Sequence, residues 1–95
     1  MRIPAEIIYL VEHDFVLFSQ KAEHLFEIGR FSFEDLKHSL LNGYVRKKER
    51  DETGEARYKY TIIGPARSGE AIYSCGKIVH RQRKQYFIIT FHEAE

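Results

Sequence analysis

The chain predicts an α+β fold, two to three N-terminal helices packed on one face of a four-stranded antiparallel sheet. Three observations carry this. Apolar residues recur at helical spacing up to about residue 42 and alternate thereafter. Glycine-bearing turns divide the second half into strand-length pieces. The composition, 43% hydrophobic and 31% charged over 95 residues, supports one core and one domain spanning 1–95.

The elements follow in order. Pro4 suits a helix start, since its missing N–H would be an orphan there, and Ile7, Ile8 and Val11 place the first helix near residues 4–13. Phe15–Phe18 is short and apolar, either a brief extended segment or a continuing buried turn. From Ser19 to Ile28, Ala22, Leu25, Phe26 and Ile28 indicate a second helix that Gly29 ends. Ser32 caps a third through the N–H of Asp35, Phe31 closes on Leu36 as a hydrophobic staple, and Glu34 and Asp35 suit the positive end of the helix dipole. Leu36, Leu40 and Leu41 form its buried stripe, and Asn42-Gly43 stops it.

Strands are expected at Tyr44–Arg50, Arg57–Ile63, Glu70–Val79 and Gln85–His92, with turns at Asp51–Gly54, Ser68-Gly69 and the basic segment His80–Lys84. Strict alternation in the last strand groups Phe87, Ile89 and Phe91 on one face, and Tyr86, Ile88, Thr90 and His92 on the other.

Composition also excludes. No apolar run reaches the roughly 18 residues needed to span a bilayer, and the N-terminus, with Glu6 and Glu12 inside its apolar stretch, does not read as a signal peptide. A membrane protein is not expected, and a single cysteine, Cys75, points to a reducing cytoplasm. One Cys and scattered His give no ligand spacing, so neither a metal site nor a cofactor is expected. Mid-strand, Cys75 reads as a small hydrophobe.

The net charge is only +1, but it is uneven: residues 1–42 hold four basic groups against seven acidic, and 43–95 hold eleven against seven. The basic groups concentrate in Arg46-Lys47-Lys48-Glu49-Arg50 and between Lys77 and Lys84. Such clusters attract phosphate or simply keep a hairpin solvated.

The pattern Lys21-Ala22, Phe31-Ser32-Phe33-Glu34-Asp35-Leu36, Leu41-Asn42-Gly43, Asp51, Arg57-Tyr58, Gly64, Gly69 and Ile88-Ile89-Thr90-Phe91 resembles a group of small bacterial and archaeal proteins of unassigned function. That group is distantly similar to the RelE, BrnT and MqsR ribonuclease toxins, some of its members being encoded beside a YgiT-type zinc-finger antitoxin. The resemblance covers about residues 15–95. It implies a RelE-like fold, a toxin of a toxin–antitoxin pair, and metal-independent cleavage of single-stranded or ribosome-bound mRNA. Lys21 stands where the group has a helix histidine, Leu25 where it has an arginine, and Tyr73 where a strand histidine is frequent.

Metal-free RNA cleavage needs a base for the ribose 2′-hydroxyl, an acid for the leaving oxygen, and cations at the phosphorane. The catalytic candidates are Lys21, His24, His80 and His92. Arg57, Arg81 and Arg83 are the phosphate candidates, because a guanidinium bonds phosphate in two places, and Tyr58, Tyr60 and Tyr86 are candidates to stack an unpaired base. Each has a plainer reading. Tyr58 and Tyr60 share a face with Ile62 and suit a core; His24 and His38 suit an exposed helix flank; His92 suits a strand end, and His80 a solvated turn. The competing function is a non-catalytic protein- or RNA-binding module on the same scaffold.

Overall fold

The computed structural model describes residues 1–94. The order is α1 (Ala5–Glu12), β1 (Val16–Phe18), α2 (Gln20–Ile28), α3 (Phe33–Asn42), β2 (Tyr44–Arg50), β3 (Tyr58–Pro65), β4 (Ala71–Arg81) and β5 (Arg83–Glu93).

All three helices form. Ser19 caps α2 by accepting from the N–H of Ala22, and Gly29 ends it in the left-handed region at φ 82°. Ser32 and Asp35 form a reciprocal capping box on α3, with the staple pair Phe31 and Leu36 both buried. Gly43 is extended, so its stop does not depend on a left-handed conformation. Its small size matters instead: a Cβ there would lie 2.3 Å from the Ile63 carbonyl oxygen and 2.7 Å from that of Ser39.

The sheet differs from expectation. It has five strands, not four, in the order β1-β5-β4-β3-β2, and it is mixed, because Phe15–Phe18 does yield an extended segment that pairs parallel to β5 (Val16 with Tyr86, Phe18 with Ile88). The helices between β1 and β2 carry the chain across to the far edge, and β2 to β5 form an antiparallel meander. The expected basic turn His80–Lys84 is a tight hairpin in which Arg81 pairs with Arg83 and Gln82 takes φ 65° at the tip.

One apolar cluster joins Ile7, Leu10 and Val11 of α1, Ala22 of α2, and Leu36 and Leu40 of α3 to Val45, Ile62, Ile72 and Ile88 of the sheet. The helices thus cover one face and leave the other open. α3 approaches β3 backbone to backbone: the Ser39 hydroxyl donates to the Gly64 carbonyl at 2.9 Å, and a Cβ at Gly64 would lie 2.0 Å from the Ser39 carbonyl oxygen.

Two β-bulges decide which side chains reach the open face. In β5 the register shifts opposite Cys75 and Gly76: Thr90 pairs with Cys75 and Ile88 with Gly76, leaving Ile89 as the extra residue. Tyr86, Ile88 and Phe91 therefore share the helix face, at 1%, 0% and 2% exposure, and Phe87, Thr90 and His92 share the open face. Unbroken alternation, as expected from sequence, places Thr90, Phe91 and His92 on the wrong sides. In β2 the shift between Val45 and Lys47 leaves Arg46 as the extra residue. Arg46 and Lys47 both turn to the open face, and Lys48 turns to the helix side, over Tyr58. No helix among the described residues is long and apolar enough to cross a membrane.

Candidate functional site

The open face is closed at the hairpin end. Lys77 is 5% exposed, and its ammonium donates to Asp51 Oδ2 at 3.0 Å and Thr53 Oγ1 at 3.1 Å, with Glu55 3.5 Å away. Asp51 also accepts from the backbone N–H groups of Thr53 and Ala56, so the β2–β3 turn is folded inward and pinned over Lys77. These hydrogen bonds, that from the Ala56 N–H above all, hold the Asp51 carboxyl well below the usual carboxylate range. Arg81 closes the same end, its Nε 2.5 Å from Glu55 and its guanidinium 4.9 Å from the Phe87 ring centre.

The opposite end of that face is accessible. A depression of about 470 Å³ there is lined by Arg46, Ile63, Tyr73, His92, Glu93 and Ala94. Tyr73 and His92 are cross-strand partners whose rings stack, 4.9 Å apart and 14° from parallel. His92 Nδ1 lies 2.9 Å from the Glu93 carbonyl oxygen. A carbonyl only accepts, so Nδ1 carries the proton in this contact and Nε2 is the ring nitrogen left for other partners. Arg46 reaches the depression through the β2 bulge, His92 through the β5 bulge.

His92 also borders a second, apolar recess of about 140 Å³, walled by Leu25, Ile28, Phe31 and Phe91. Arg30 lies at its rim, hydrogen-bonded to Glu70 and to Glu93, the latter at 2.8 Å. The site thus joins an imidazole with an available nitrogen, a phenol, a guanidinium and a small apolar recess. That set suits proton transfer at a phosphate beside a flat base.

The other candidates lie elsewhere. Lys21 and His24 are exposed on α2, whose buried residue Ala22 faces the helix-side core, and His24 lies 3.9 Å from Glu27. His80 is seven residues from Tyr73 along β4, about 23 Å at strand rise, at the closed end. Arg83 lies over the Phe15 ring, 3.2 Å from its centre, at that same end. Tyr86 is 1% exposed, its ring against Gly76, and offers no surface to a base. Arg57, Tyr58 and Tyr60 come together, but in a cleft on the helix side with Glu6, Ile78 and Lys84. Arg46 and Tyr73 were not among the sequence candidates. The basic run around Arg46 signals phosphate affinity, but only the bulge singles that residue out.

Cys75 is half-buried and burial pushes its thiol up, so it is no activated nucleophile. Among the described residues no group of three His, Cys, Asp or Glu is placed to hold a metal ion. Comparison with family models, curated proteins and solved structures finds no match to the chain.

Proposed function

We propose that the chain is a metal-independent RNA endonuclease, the toxin of a toxin–antitoxin pair of the RelE-like kind, acting on single-stranded or ribosome-bound mRNA from the open end of the sheet. The observation that carries this is the Tyr73–His92 stack with His92 Nδ1 held by a backbone carbonyl, beside Arg46. His92 Nε2 takes the proton of a ribose 2′-hydroxyl, and the 2′-oxygen attacks the adjacent phosphorus. The bond to the 5′-oxygen breaks, and that oxygen takes its proton from the Tyr73 hydroxyl. Arg46 bonds the phosphorane oxygens. A 2′,3′-cyclic phosphate and a 5′-hydroxyl result. A zinc-finger antitoxin belongs to the same proposal as its partner.

A non-catalytic RNA- or protein-binding module is the second reading, favoured by the scatter of Lys21, His24 and His80, which leaves one imidazole at the site. Mapping transcript 5′-ends after induced expression decides between them. New ends in cells making the parent, absent with His92→Gln and with Arg46→Gln at equal soluble yield, are expected of the endonuclease. No new ends from soluble parent protein overturn it.

A further inference from the structure

The helix-side cleft is a different kind of site. Glu6, Arg57, Tyr58, Tyr60, Ile78 and Lys84 line about 190 Å³ between α1 and the hairpin end of the sheet. The Lys48 ammonium stands 4.1 Å from the Tyr58 ring centre and the Arg57 guanidinium 5.6 Å from it. Tyr58 thereby holds two cations at the cleft margin through its π-face. Lys84 supplies a third, bonded to Glu6 at 2.8 Å. Tyr60 is 7% exposed yet lines the cleft, and its hydroxyl has no protein partner among the described residues. That hydroxyl is not among the sealed, unpartnered polar atoms of the described residues, so it meets solvent at the cleft and is available to donate.

We propose that this cleft binds a phosphate monoester, held by the cations gathered at its margin. Three cations and one carboxylate leave two positive charges, matching the −1.5 to −2 that a monoester carries near pH 7. An internal phosphodiester, with one charge, matches less well. The incoming phosphate displaces Glu6 from Lys84, accepts from Lys84, Arg57 and Lys48, and takes the Tyr60 hydroxyl proton as a hydrogen bond. Two sources carry this group: the 5′-terminal phosphate of an RNA strand, and a free nucleotide or inorganic phosphate. That RNA is one of them rests on the proposed function; phosphate capture does not, because none of these residues lines the depression at His92.

The test is anisotropy of a 3′-labelled RNA hexamer bearing either a 5′-phosphate or a 5′-hydroxyl, in parallel with calorimetry of AMP and inorganic phosphate. The 5′-phosphate is expected to tighten binding about tenfold, and Lys84→Gln or Lys48→Gln to erase most of that preference. Glu6→Gln is expected to strengthen it severalfold, an effect that loss of fold cannot imitate. AMP and inorganic phosphate binding alike assigns the site to the phosphoryl group, and a marked RNA preference assigns it to the strand terminus. Equal binding of the two hexamers, with no heat from AMP or phosphate, overturns the proposal. AMP and inorganic phosphate contain no internal phosphodiester to cleave, so their heats report on this cleft whether or not the endonuclease reading holds.

Discussion

Tyr86 carries a hydroxyl that the fold does not use. The residue is 1% exposed, its oxygen has no hydrogen-bond partner among the described residues, and burial pushes its ionisation far above the ordinary tyrosine range. An unpartnered hydroxyl in an apolar setting costs about 1–3 kcal/mol, and Tyr86→Phe removes it while keeping the ring that fills the space over Gly76. The substitution is therefore expected to stabilise by about 1–2 kcal/mol, raising Tm by about 5–10 °C for a domain of this size. Tyr86→Ala, which also removes the ring, is expected to cost about 3–5 kcal/mol. Urea melts read by circular dichroism, with the slope m compared between variants, supply both numbers. A loss above about 0.5 kcal/mol in Tyr86→Phe at unchanged m refutes the reasoning, because it means the hydroxyl has a partner such as a buried water. RNA affinity of Tyr86→Phe is expected to equal the parent's, since the ring reaches no surface.

Three further outcomes follow from the packing. Gly64→Ala drives a Cβ to 2.0 Å from the Ser39 carbonyl oxygen, so α3 must shift from β3; a loss of about 3 kcal/mol in urea melts is expected. Asp51 and Asp35 both have lowered carboxyl pKa values, Asp35 to about 2 through the backbone N–H of Ser32 and then Arg67. Their contribution is full above the unfolded value of about 4 and is lost as pH falls through the folded values, so stability drops between about pH 4 and 2 and drops less steeply in Asp51→Asn. In Lys77→Met the β2–β3 turn loses its anchor, and faster amide exchange at Thr53 and Ala56 than in the parent is expected.

Much of the fold is legible because its signals are local. Ser32, Asp35, Phe31 and Leu36 build the start of α3 within six residues, and Gly29 ends α2 as its conformational freedom suggests. The edge strand β1 is not legible in this way. Its three residues, Val16–Phe18, are too few to show a period, and what makes them a strand is β5, about seventy positions later. The parallel pairing, and with it the mixed sheet, has no local signature.

The site is harder to read for a related reason. A strand pattern assigns faces by parity, and one inserted residue reverses every assignment beyond it. With Ile89 and Arg46 each counted as regular positions, His92 falls on the side of Ile88, and Lys48 stands away from Tyr58 and Tyr60. With each as a bulge, His92 meets Tyr73 and Arg46 on the open face, and Lys48 joins the tyrosines on the other. Neither bulged residue is itself a glycine; the one hint is Gly76, which faces the β5 register shift from the neighbouring strand, and nothing comparable marks the bulge at Arg46. What selects them is the core. Phe91 must pack on Phe26, 4.7 Å between ring centres, while Ile88 and Tyr86 are buried on that same face, and positions 88 and 91 can share a face only if the strand gains a residue between them. The placement of the imidazole at the surface is thus set by apolar burial beneath it. A Phe91→Ser variant that relaxes the bulge is expected to separate His92 from Tyr73, and the stack should vanish from the ring-current shifts of the His92 protons before the protein unfolds.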